Sequence, residues 1–516
     1  MQHIVGIDIG TTHVKAVVAS ANGKILFEAK AGYPTFNPSL GCQEQNPDEV
    51  FRAFLKVIQE SVEFIADKST IACVSFSAAM HSVIAVDENG KPLTQLITWA
   101  DTRSNKYAQQ LKGSEQAKII YELTGTPVHP MSPLCKIAWI KNELPEEFDK
   151  AFKFISVKEY IFYQLFGEFV VDHSIASATG LFDIRQLKWC DESLKFASIT
   201  KEQLSKPVST TQVFSNLKEN YQHLLKLPAA IPFIIGASDG GLANIGAGAV
   251  MPGELALTIG TSGAARKLGD HIVPDHEQRL FNYILDENTF LTGGAINNGG
   301  IVIKWFLDVF MDTDLSHEER MKSILDQAAE VPAGAEGLIF LPYIYGERAP
   351  VWDASAKGVF IGVSSIHKKE HFMRAVLEGI SFSFLQIIKS LEETGEPVHT
   401  IFANGGFIQS SLWVKILADV LNKKIVVSHA ADASAMGAIF IAMKYLGLLK
   451  EWRDVKSFIE VDEKFEPDPV LHKQYSANYE IFEHLYGKLK DDFQKIDAIQ
   501  TGAQQDRSTR PKVNDL

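Results

Sequence analysis

Apolar residues alternate with small or polar ones near the start of the chain, and this period of two is typical of a β-strand. The first run is Val5-Gly6-Ile7-Asp8-Ile9-Gly10, whose polar side carries a single carboxylate, that of Asp8. A Gly-Thr-Thr turn follows it, and the alternation then resumes. Asn22-Gly23 marks a second tight turn. The pattern therefore predicts three consecutive strands, over residues 3–10, 14–19 and 24–31.

Helical spacing of apolar residues follows these strands and predicts a helix over residues 47–66, with Pro47 near its start. Two further apolar runs predict strands at residues 71–76 and 83–86. This order favours a mixed sheet whose first strands are antiparallel. The remaining patterns of this half predict a helix-rich insertion and a polar helix, at residues 150–166 and 217–226.

The strand pattern begins again at Glu254, after a glycine-rich stretch from Gly236 to Gly253 that we interpret as a hinge between two domains. The run Leu257-Thr258-Ile259-Gly260-Thr261-Ser262-Gly263 repeats the order of the first turn, which is strand, glycine, hydroxyl, hydroxyl. A long amphipathic pattern predicts a helix over residues 370–392. Shorter strands and helices are predicted at residues 254–259, 264–268, 281–284, 299–311, 401–403, 410–421, 425–427 and 433–446.

Two such turns in one chain predict a duplicated architecture that grips one nucleotide from both sides. Glycine opposite a ligand lets the ligand approach the main chain, and each turn supplies backbone N–H donors and two hydroxyls. A hairpin of this kind can cradle a phosphate, with Asp8 placed to hold a metal ion through water. Either turn taken alone could equally be a plain connection between strands.

Composition limits the classes of partner. The chain of 516 residues is long enough for two or more domains, and its 46% hydrophobic and 22% charged residues are typical of a globular protein. A net charge of −13 argues against non-specific binding of nucleic acid. We find no apolar run in the sequence that is long enough for a membrane span. The four cysteines are scattered and form no disulfide framework, which favours a reducing, cytoplasmic location.

Asp239 is the strongest single candidate for catalysis. It lies in the sequence Gly-Ala-Ser-Asp-Gly-Gly at the predicted hinge, where a cleft between domains would open. A carboxylate there can accept the proton of a substrate hydroxyl as that oxygen attacks phosphorus. The residue types alone leave open the alternative of a turn aspartate that caps its own loop.

Longer motifs point to a family. The pattern Gly6-x-Asp8-x-Gly10-Thr11-Thr12, with Gly260-Thr261-Ser262 in the second half, resembles the actin-like ATPase superfamily. Two further stretches resemble the signatures of the FGGY carbohydrate kinases, one at residues 131–140 and one at residues 358–363 and 371–378. The resemblance implies an α/β fold with two actin-like (ribonuclease H-like) lobes, each a mixed β-sheet flanked by helices, and ATP in the cleft between the lobes.

The same resemblance implies boundaries and residue roles. Residues 1–247 would form the N-terminal lobe and residues 248–498 the C-terminal lobe, while the polar residues 499–516 are predicted to be a disordered tail. Asp239 would be the catalytic base and Asp8 the residue associated with Mg²⁺. The residues implied in nucleotide binding are Gly10, Thr11, Thr12, Lys15, Gly260, Thr261, Gly300, Gly405, Gly406 and Ser410.

The acceptor implied by the resemblance is a sugar. Two segments of the first lobe, residues 77–82 and 97–103, offer an apolar face for a carbon chain, hydrogen-bonding groups and an arginine that could pair with a carboxylate. Both segments look most like those of FGGY kinases that phosphorylate gluconate, which implies D-gluconate as acceptor and 6-phospho-D-gluconate as product. His129 is a further group compatible with an acid sugar. The candidate acceptor residues are Met80, His81, Trp99, Asp101 and Arg103.

Two alternatives stay open at this stage. The nearer one is a xylulose or ribulose kinase of the same family, since Met80-His81 also resembles the Met-His pair of xylulose kinases. The distant one is a non-enzymatic nucleotide switch of the actin or chaperone type, which would not need a carboxylate facing an acceptor pocket. We expect no nucleic-acid or membrane partner, and a homodimer is a further expectation.

Overall fold

Two mixed β-sheets, one in each half of the chain, organise the molecule. The computed structural model describes residues 2–39, 41–228, 230–311, 314–428 and 432–508. Within these ranges no helix is long and apolar enough to cross a membrane. The four cysteines are free thiols, and three of them are buried.

The sheet of the first lobe has six strands, and the predicted first hairpin lies at its centre. His3–Ile9 pairs antiparallel with His13–Ser20, so that Asp8 lies opposite Lys15. On its other side His3–Ile9 runs parallel to Ile71–Ala78. The prediction of a mixed sheet with antiparallel first strands is thus confirmed. The order across the sheet is Val213–Phe214, Phe233–Ser238, Ile71–Ala78, His3–Ile9, His13–Ser20 and Ile25–Gly32.

The sheet of the second lobe repeats this centre. Glu254–Ile259 pairs antiparallel with Gly263–Gly269 and parallel with Thr400–Asn404. The two glycine-hydroxyl turns therefore occupy equivalent positions in two sheets of similar topology. The sequence pattern missed the strand Thr289–Ile296, because the Thr-Gly-Gly within it interrupts the apolar alternation. The order across the sheet is Phe281–Asp286, Thr289–Ile296, Gly263–Gly269, Glu254–Ile259, Thr400–Asn404, Lys424–Val427 and Glu463–Phe465.

Helices cover both sheets. The first runs from Pro47 to Phe64, since the Asn46 side chain accepts from two N–H groups of its first turn and Val50 and Phe54 lie on its buried face. The other α-helices are Asn105–Leu111, Glu115–Thr124, Pro133–Glu143, Pro145–Lys150, Val157–Phe166, His173–Ser177, Asp191–Ala197, Glu219–Leu225, Asp239–Gly246, Gly300–Phe310, His317–Ala329, Lys369–Thr394, Ser411–Leu421, Ala433–Tyr445 and Pro469–Ser508.

Short ladders and single turns complete the described structure. The two-stranded ladders pair Glu44–Gln45 with Leu96–Ile97, Ile84–Val86 with Lys153–Ile155, Val170–Asp172 with Lys206–Val208, Phe182–Asp183 with Lys188–Trp189, and Ile339–Leu341 with Val359–Ile361. The 3₁₀ turns are Lys68–Thr70, Lys201–Gln203, Ala335–Gly337, Gly406–Gln409 and Trp452–Phe458.

Two helices pack closely against each other where the lobes meet. Asp239–Gly246 follows directly from a first-lobe strand, and Ala433–Tyr445 packs both on that helix and on the strand His3–Ile9. Gly246 and Gly437 lie where these helices touch, because a Cβ on either glycine would overlap the backbone of the facing helix. The stretch predicted as a loop hinge is therefore a strand followed by a helix, and its glycines serve close packing.

Two further stretches differ from their predictions. The insertion predicted as helix-rich at residues 150–166 is a short strand, Lys153–Ile155, followed by the helix Val157–Phe166. At the C-terminus residues 499–508 continue the helix that begins at Pro469, instead of forming a disordered tail. Extending an existing helix is far easier than nucleating one, so the weak apolar pattern does not end it. Residues 509–516 lie outside the described residues.

Candidate active site

The first glycine-hydroxyl turn and the predicted acceptor segments line one pocket. Gly10 and Thr11 of the turn line it together with Met80 and Trp99 of the acceptor segments. The Trp99 Nε1–H donates to the Thr11 hydroxyl at 2.9 Å, so the turn and the acceptor wall are bonded directly. Two sets of residues that are distant in the sequence thus belong to one site.

The turn is shaped by hydrogen bonds to its own backbone. The Gly10 N–H donates to the His13 carbonyl at 3.1 Å, and the Tyr33 hydroxyl donates to the Gly10 carbonyl. Thr12 is exposed, with its hydroxyl 2.8 Å from the His13 ring nitrogen Nδ1. A turn whose carbonyls are satisfied in this way is held ready to offer N–H donors to a phosphate.

Three carboxylates, those of Asp8, Asp239 and Asp432, lie within range of one another's charge. Ser77 donates to the buried Asp8 carboxylate at 2.6 Å. Burial, followed by the charges of Asp432 and Asp239, raises the pKa of Asp8 to about 8. Burial also raises the pKa of Asp239, although Arg266 acts against the shift. No three metal-binding side chains among the described residues form a metal cage, so a cation here would be held mainly through water and phosphate oxygens.

Asp432 links the first hairpin to the helix between the lobes. It forms an ion pair with Lys15 and accepts from the N–H groups of Ser434 and Ala435 at 3.1 and 3.2 Å, which caps the helix Ala433–Tyr445. Lys15, predicted to reach a phosphate, is therefore held by a carboxylate. Sequence reasoning missed Asp432, whose only signal was an aspartate directly before an Ala/Gly-rich helix.

Asp239 begins the helix Asp239–Gly246, and its carboxylate accepts from the Gly240 N–H at 2.7 Å. A buried ion pair fixes the strand that leads to it. The Lys158 ammonium group donates to Asp172 at 2.7 Å and to the Ala237 carbonyl at 3.0 Å. The N-terminal end of a helix favours negative charge, so this position suits a carboxylate that must work ionised.

Both lobes reach the turn that carries Asp239. A Cβ placed on Gly240 would lie 3.0 Å from the Met80 methyl and 3.0 Å from Arg266 Nε. Met80 belongs to the acceptor wall of the first lobe, while Arg266 belongs to the second-lobe strand Gly263–Gly269. The predicted base therefore lies where the two lobes face each other.

His81 is presented to the acceptor side as a neutral ring. Its backbone is left-handed, with φ of 66°, and its Nδ1 lies 2.7 Å from the Ala178 carbonyl. A carbonyl only accepts, so Nδ1 carries the proton and Nε2 remains an acceptor. Burial, followed by the charges of Lys136 and Arg348, lowers the pKa of His81 to about 3. Lys136 also joins the two acceptor segments, since it donates to the carbonyls of His81 and Thr98 at 2.6 Å each.

Asp101 and Arg103 bind each other. Arg103 Nε donates to Asp101 at 2.9 Å, and Arg103 Nη1 donates to Glu44 at 2.6 Å. The Asp101 side chain is 0% exposed and also accepts from the Gln43 N–H at 2.7 Å. A contact between Arg103 and an acceptor would therefore compete with two carboxylates that already hold the guanidinium.

The second lobe adds polar groups that sequence reasoning missed. The Arg348 guanidinium lies 4.7 Å from the centre of the Trp99 ring and donates to the Ile296 carbonyl at 2.7 Å. The Tyr283 ring lies 5.9 Å from the His81 ring. Buried polar atoms are costly unless they are hydrogen-bonded, so atoms left without a partner suggest a ligand. The atoms without a hydrogen-bond partner in the described part of the chain include His129 Nε2, Arg266 Nε, Tyr283 Oη and Arg348 Nε.

The second glycine-hydroxyl turn is docked on the helix that begins at Gly300. The Gly300 N–H donates to the Gly260 carbonyl at 2.8 Å, and the Ile301 N–H donates to the Thr261 carbonyl at 3.1 Å. The Gly300 N–H predicted to meet a nucleotide is thus used inside the protein. A Cβ on Gly260 would meet open space, so a ligand has room to approach this turn.

Gly405, Gly406 and Ser410 follow the neighbouring strand at the same edge of the sheet. Thr400–Asn404 is parallel to the strand that leads into Gly260, and parallel strands end on one edge. Gly405 has φ of 104°, and Gly406 has open space where a Cβ would be. The Ser410 hydroxyl accepts from the Trp413 N–H at 3.3 Å and caps the next helix.

Two glycine-hydroxyl turns on facing lobes, with a carboxylate and a polar acceptor pocket between them, define a two-lobed phosphotransferase. The chain matches the N-terminal domain of the FGGY family of carbohydrate kinases over residues 3–246 and the C-terminal domain over residues 255–446. It therefore belongs to the FGGY family of carbohydrate kinases and uses ATP as they do. The expected two-lobed fold is confirmed, and the alternative of a non-enzymatic switch is set aside.

Three similar proteins cover nearly the whole chain. A gluconokinase of Bacillus subtilis (strain 168) is 40% identical over 506 residues, which are 97% of this chain and 98% of that protein. The crystal structure of a gluconate kinase from Lactobacillus acidophilus has a TM-score of 0.90 at 36% identity, covering 96% of this chain and 99% of that one. The structure of a ligand-bound xylulose kinase from the same organism has a TM-score of 0.90 at 35% identity, covering 96% and 100%.

Proposed function

We propose that this kinase transfers the γ-phosphoryl group of ATP to the terminal hydroxyl of D-gluconate and releases 6-phospho-D-gluconate and ADP. The observation that carries the proposal is the position of Asp239, whose charge acts on Asp8 of the first hairpin and whose neighbour Gly240 is approached by Met80 from one lobe and Arg266 from the other. The similarity to proteins named gluconokinase supports the choice of sugar.

In this proposal ATP occupies the cleft between the lobes. The first turn holds its phosphates from one side and the second turn from the other, where Gly260 leaves open space. Gly405, Gly406 and Ser410 share an edge of the sheet with Gly260 and would lie along the nucleotide towards its adenosine end. The residues assigned to the phosphates are Gly10, Thr11, Thr12, Lys15, Gly260, Thr261 and Gly300.

The carboxylates at the first turn fit Mg²⁺, because this ion prefers oxygen ligands and keeps several waters. Asp8, fixed by its bond to Ser77, would hold the ion through water, and the charges of Asp239 and Asp432 would favour it. Mg²⁺ supplies neutralisation of the charge on the phosphates when it is bound.

The chain's own residues orient the acceptor and remove its proton. The Trp99 ring provides an apolar face for the carbon chain, and His81 Nε2 accepts a hydrogen bond from a sugar hydroxyl. The terminal hydroxyl oxygen attacks the γ-phosphorus while the bond from that phosphorus to the bridging oxygen of ADP breaks. The hydroxyl proton passes to the Asp239 carboxylate.

A pentulose such as xylulose is the second candidate acceptor. Its support is the ligand-bound xylulose kinase structure, which matches this fold as well as the gluconate kinase does. His81 does not discriminate between the two sugars, because a neutral acceptor nitrogen serves a neutral sugar and an acid sugar equally. The choice between the two sugars therefore depends on positive charge in the pocket.

A coupled assay of ADP release against D-gluconate, D-xylulose, D-ribulose and glycerol tests the proposal. We expect the highest kcat/KM with D-gluconate, and mass spectrometry should find one phosphate added to it. The Asp239→Asn variant, prepared in parallel, controls for contaminating kinases. A higher kcat/KM with D-xylulose would replace gluconate by a pentulose, and no sugar-dependent ADP release would overturn both.

Three predictions about the whole molecule accompany this function. We propose the lobe boundary near residue 247, a cytoplasmic location and a homodimer. Sedimentation equilibrium of the purified protein decides the homodimer, because it measures the mass of the assembly directly.

A further inference from the structure

We propose that Arg266 binds the carboxylate of the acceptor and gives the enzyme its preference for an acid sugar over a neutral one. This inference rests on the proposed function and assigns its specificity to one side chain. It concerns the second lobe, whereas sequence reasoning looked for this contact in the first.

Arg266 is a half-buried cation whose Nε atom is buried and has no hydrogen-bond partner among the described residues. Asp239 is the carboxylate whose charge acts on it most strongly, yet no hydrogen bond joins Arg266 Nε to that carboxylate. A charge removed from water is normally paired, so a partner for this guanidinium is expected to arrive with the ligand.

The position of Arg266 suits an acceptor. Its Nε and the Met80 methyl would each lie 3.0 Å from a Cβ on Gly240, so the guanidinium lies close to the acceptor wall and to the turn that carries the base. Tyr283 lies within range of the charges of Arg348 and Arg266. Its buried hydroxyl also has no hydrogen-bond partner among the described residues. An anion bound by Arg266 would therefore have a hydroxyl donor beside it.

The other cations of this region are already bonded. Arg348 donates to the Ile296 carbonyl and lies over Trp99, while Lys136 donates to two carbonyls. Arg103 is held by Asp101 and Glu44. A guanidinium binds a carboxylate best through two parallel N–H bonds. Arg348 also has an unpartnered Nε, but its Nη2 is bonded to the Ile296 carbonyl, whereas no hydrogen bond joins Arg266 Nε to the described residues.

A different role for Arg266 would leave a different kinetic signature. If Arg266 stabilised the transferred phosphoryl group or the charge of Asp239, its loss would slow transfer to every acceptor by the same factor. If it binds the acceptor carboxylate, its loss affects only acceptors that have one. The comparison of an acid with its neutral counterpart separates the two roles.

The test compares D-gluconate with D-glucitol, which has a hydroxymethyl group in place of the carboxylate. Arg266→Gln should lower the ratio of kcat/KM for the two acceptors by about 100-fold, since a charged hydrogen-bonded pair is lost. Calorimetry without nucleotide should show the Kd for D-gluconate rising by a similar factor. The matched control is Lys267→Gln, because Lys267 is the next residue and instead donates to the carbonyls of Leu391 and Glu396 at 3.5 and 3.3 Å.

An unchanged ratio in Arg266→Gln, or equal losses with both acceptors, would overturn the inference. If Arg266→Gln does not fold, Arg266→Lys is tested instead, because lysine keeps the positive charge but lacks the paired N–H groups of the guanidinium. Its ratio should fall by about tenfold, and an unchanged ratio would again overturn the inference. Wild-type enzyme inactive on D-gluconate would overturn the proposed function as well, whereas active wild-type enzyme with an unchanged ratio would overturn this inference alone.

Discussion

The acceptor site has two walls, and each contains an arginine in a different state. On the first-lobe wall Arg103 is bound by Asp101 and Glu44, and its guanidinium lies 4.9 Å from the centre of the Trp139 ring. On the second-lobe wall Arg266 has a buried Nε without a partner in the described structure. Both residues carry the same charge, but only the second has it available for a ligand. We therefore expect the partners of a cation, and not its presence in a motif, to decide whether it recognises the acceptor.

The largest effect is expected at Asp239, whose charge lies opposite Arg266. Asp239→Asn should lower kcat by about 1,000-fold, because a general base contributes roughly 10²–10⁴ to such a reaction. The Kd for ATP should stay close to that of the wild type, measured by calorimetry. Turnover near the wild-type value would show that Asp239 is not the general base. Its charge would then serve only to balance that of Arg266, and Arg266 would no longer be available for a ligand.

The next effect concerns the stability of the first-lobe wall. Arg103→Gln leaves the buried Asp101 charge without its partner, which should lower the free energy of unfolding by about 3 kcal/mol. Thermal denaturation of the variant and the wild type measures the loss. The KM values for D-gluconate and ATP should change by similar factors. Normal stability together with a selective rise in the KM for D-gluconate would instead show that Arg103 contacts the acceptor, as the sequence predicts.

A smaller effect follows from two buried neutral histidines. Burial lowers the pKa of His81 to about 3 and that of His129 well below its ordinary 6.5. The unfolded chain takes up these protons below pH 6.5 and the folded chain does not, so their contribution to stability is present above pH 6.5 and is lost as the pH falls. Each histidine should cost about 1.4 kcal/mol per pH unit in that range.

The variant His129→Gln isolates this contribution. Its melting temperature should fall less steeply than that of the wild type between pH 7 and pH 5. Parallel curves for the two proteins would show that His129 is protonated in the folded state and adds a positive charge to the acceptor site.

The smallest expected effect is at Trp99, which connects the two walls. Trp99→Phe removes the hydrogen bond to Thr11 but keeps an aromatic face under Arg348. The KM for D-gluconate should rise about fivefold, the equivalent of one hydrogen bond of about 1 kcal/mol. A rise of about 100-fold in this KM, the size expected for Arg266→Gln, would mean that the Trp99–Thr11 hydrogen bond contributes as much to recognition of the acceptor as Arg266 does.

Local patterns predicted the parts of this molecule that local chemistry determines. Strand alternation around Asp8, the two glycine-hydroxyl turns and the mixed sheets all appear where the sequence indicated. Asp239 was found because glycines surround it at the junction of the halves. In the structure Asp239 begins a helix, and Gly246 at the other end of that helix packs closely against Ala433–Tyr445.

The residues that complete the site were not predictable from local pattern. Arg266 and Tyr283 lie on second-lobe strands with ordinary alternation, and Arg348 lies in the connection between Ile339–Leu341 and Val359–Ile361. Only the packing of the lobes brings these three residues close to the first-lobe segments.

The sequence motif included Arg103 but not its partner Glu44. Glu44 belongs to a strand distant in sequence, which pairs with Leu96–Ile97 just before the Arg103 segment. Tertiary contacts of this kind have no signature in one sequence, so a motif shows a charged residue without showing the partners that hold it.

The most direct measurement is the ratio of kcat/KM for D-gluconate to that for D-glucitol, determined in one assay for the wild type, Arg266→Gln and Arg103→Gln. The account predicts a fall of about 100-fold for Arg266→Gln and a ratio close to the wild-type value for Arg103→Gln. A fall at Arg103 with no change at Arg266 would contradict it.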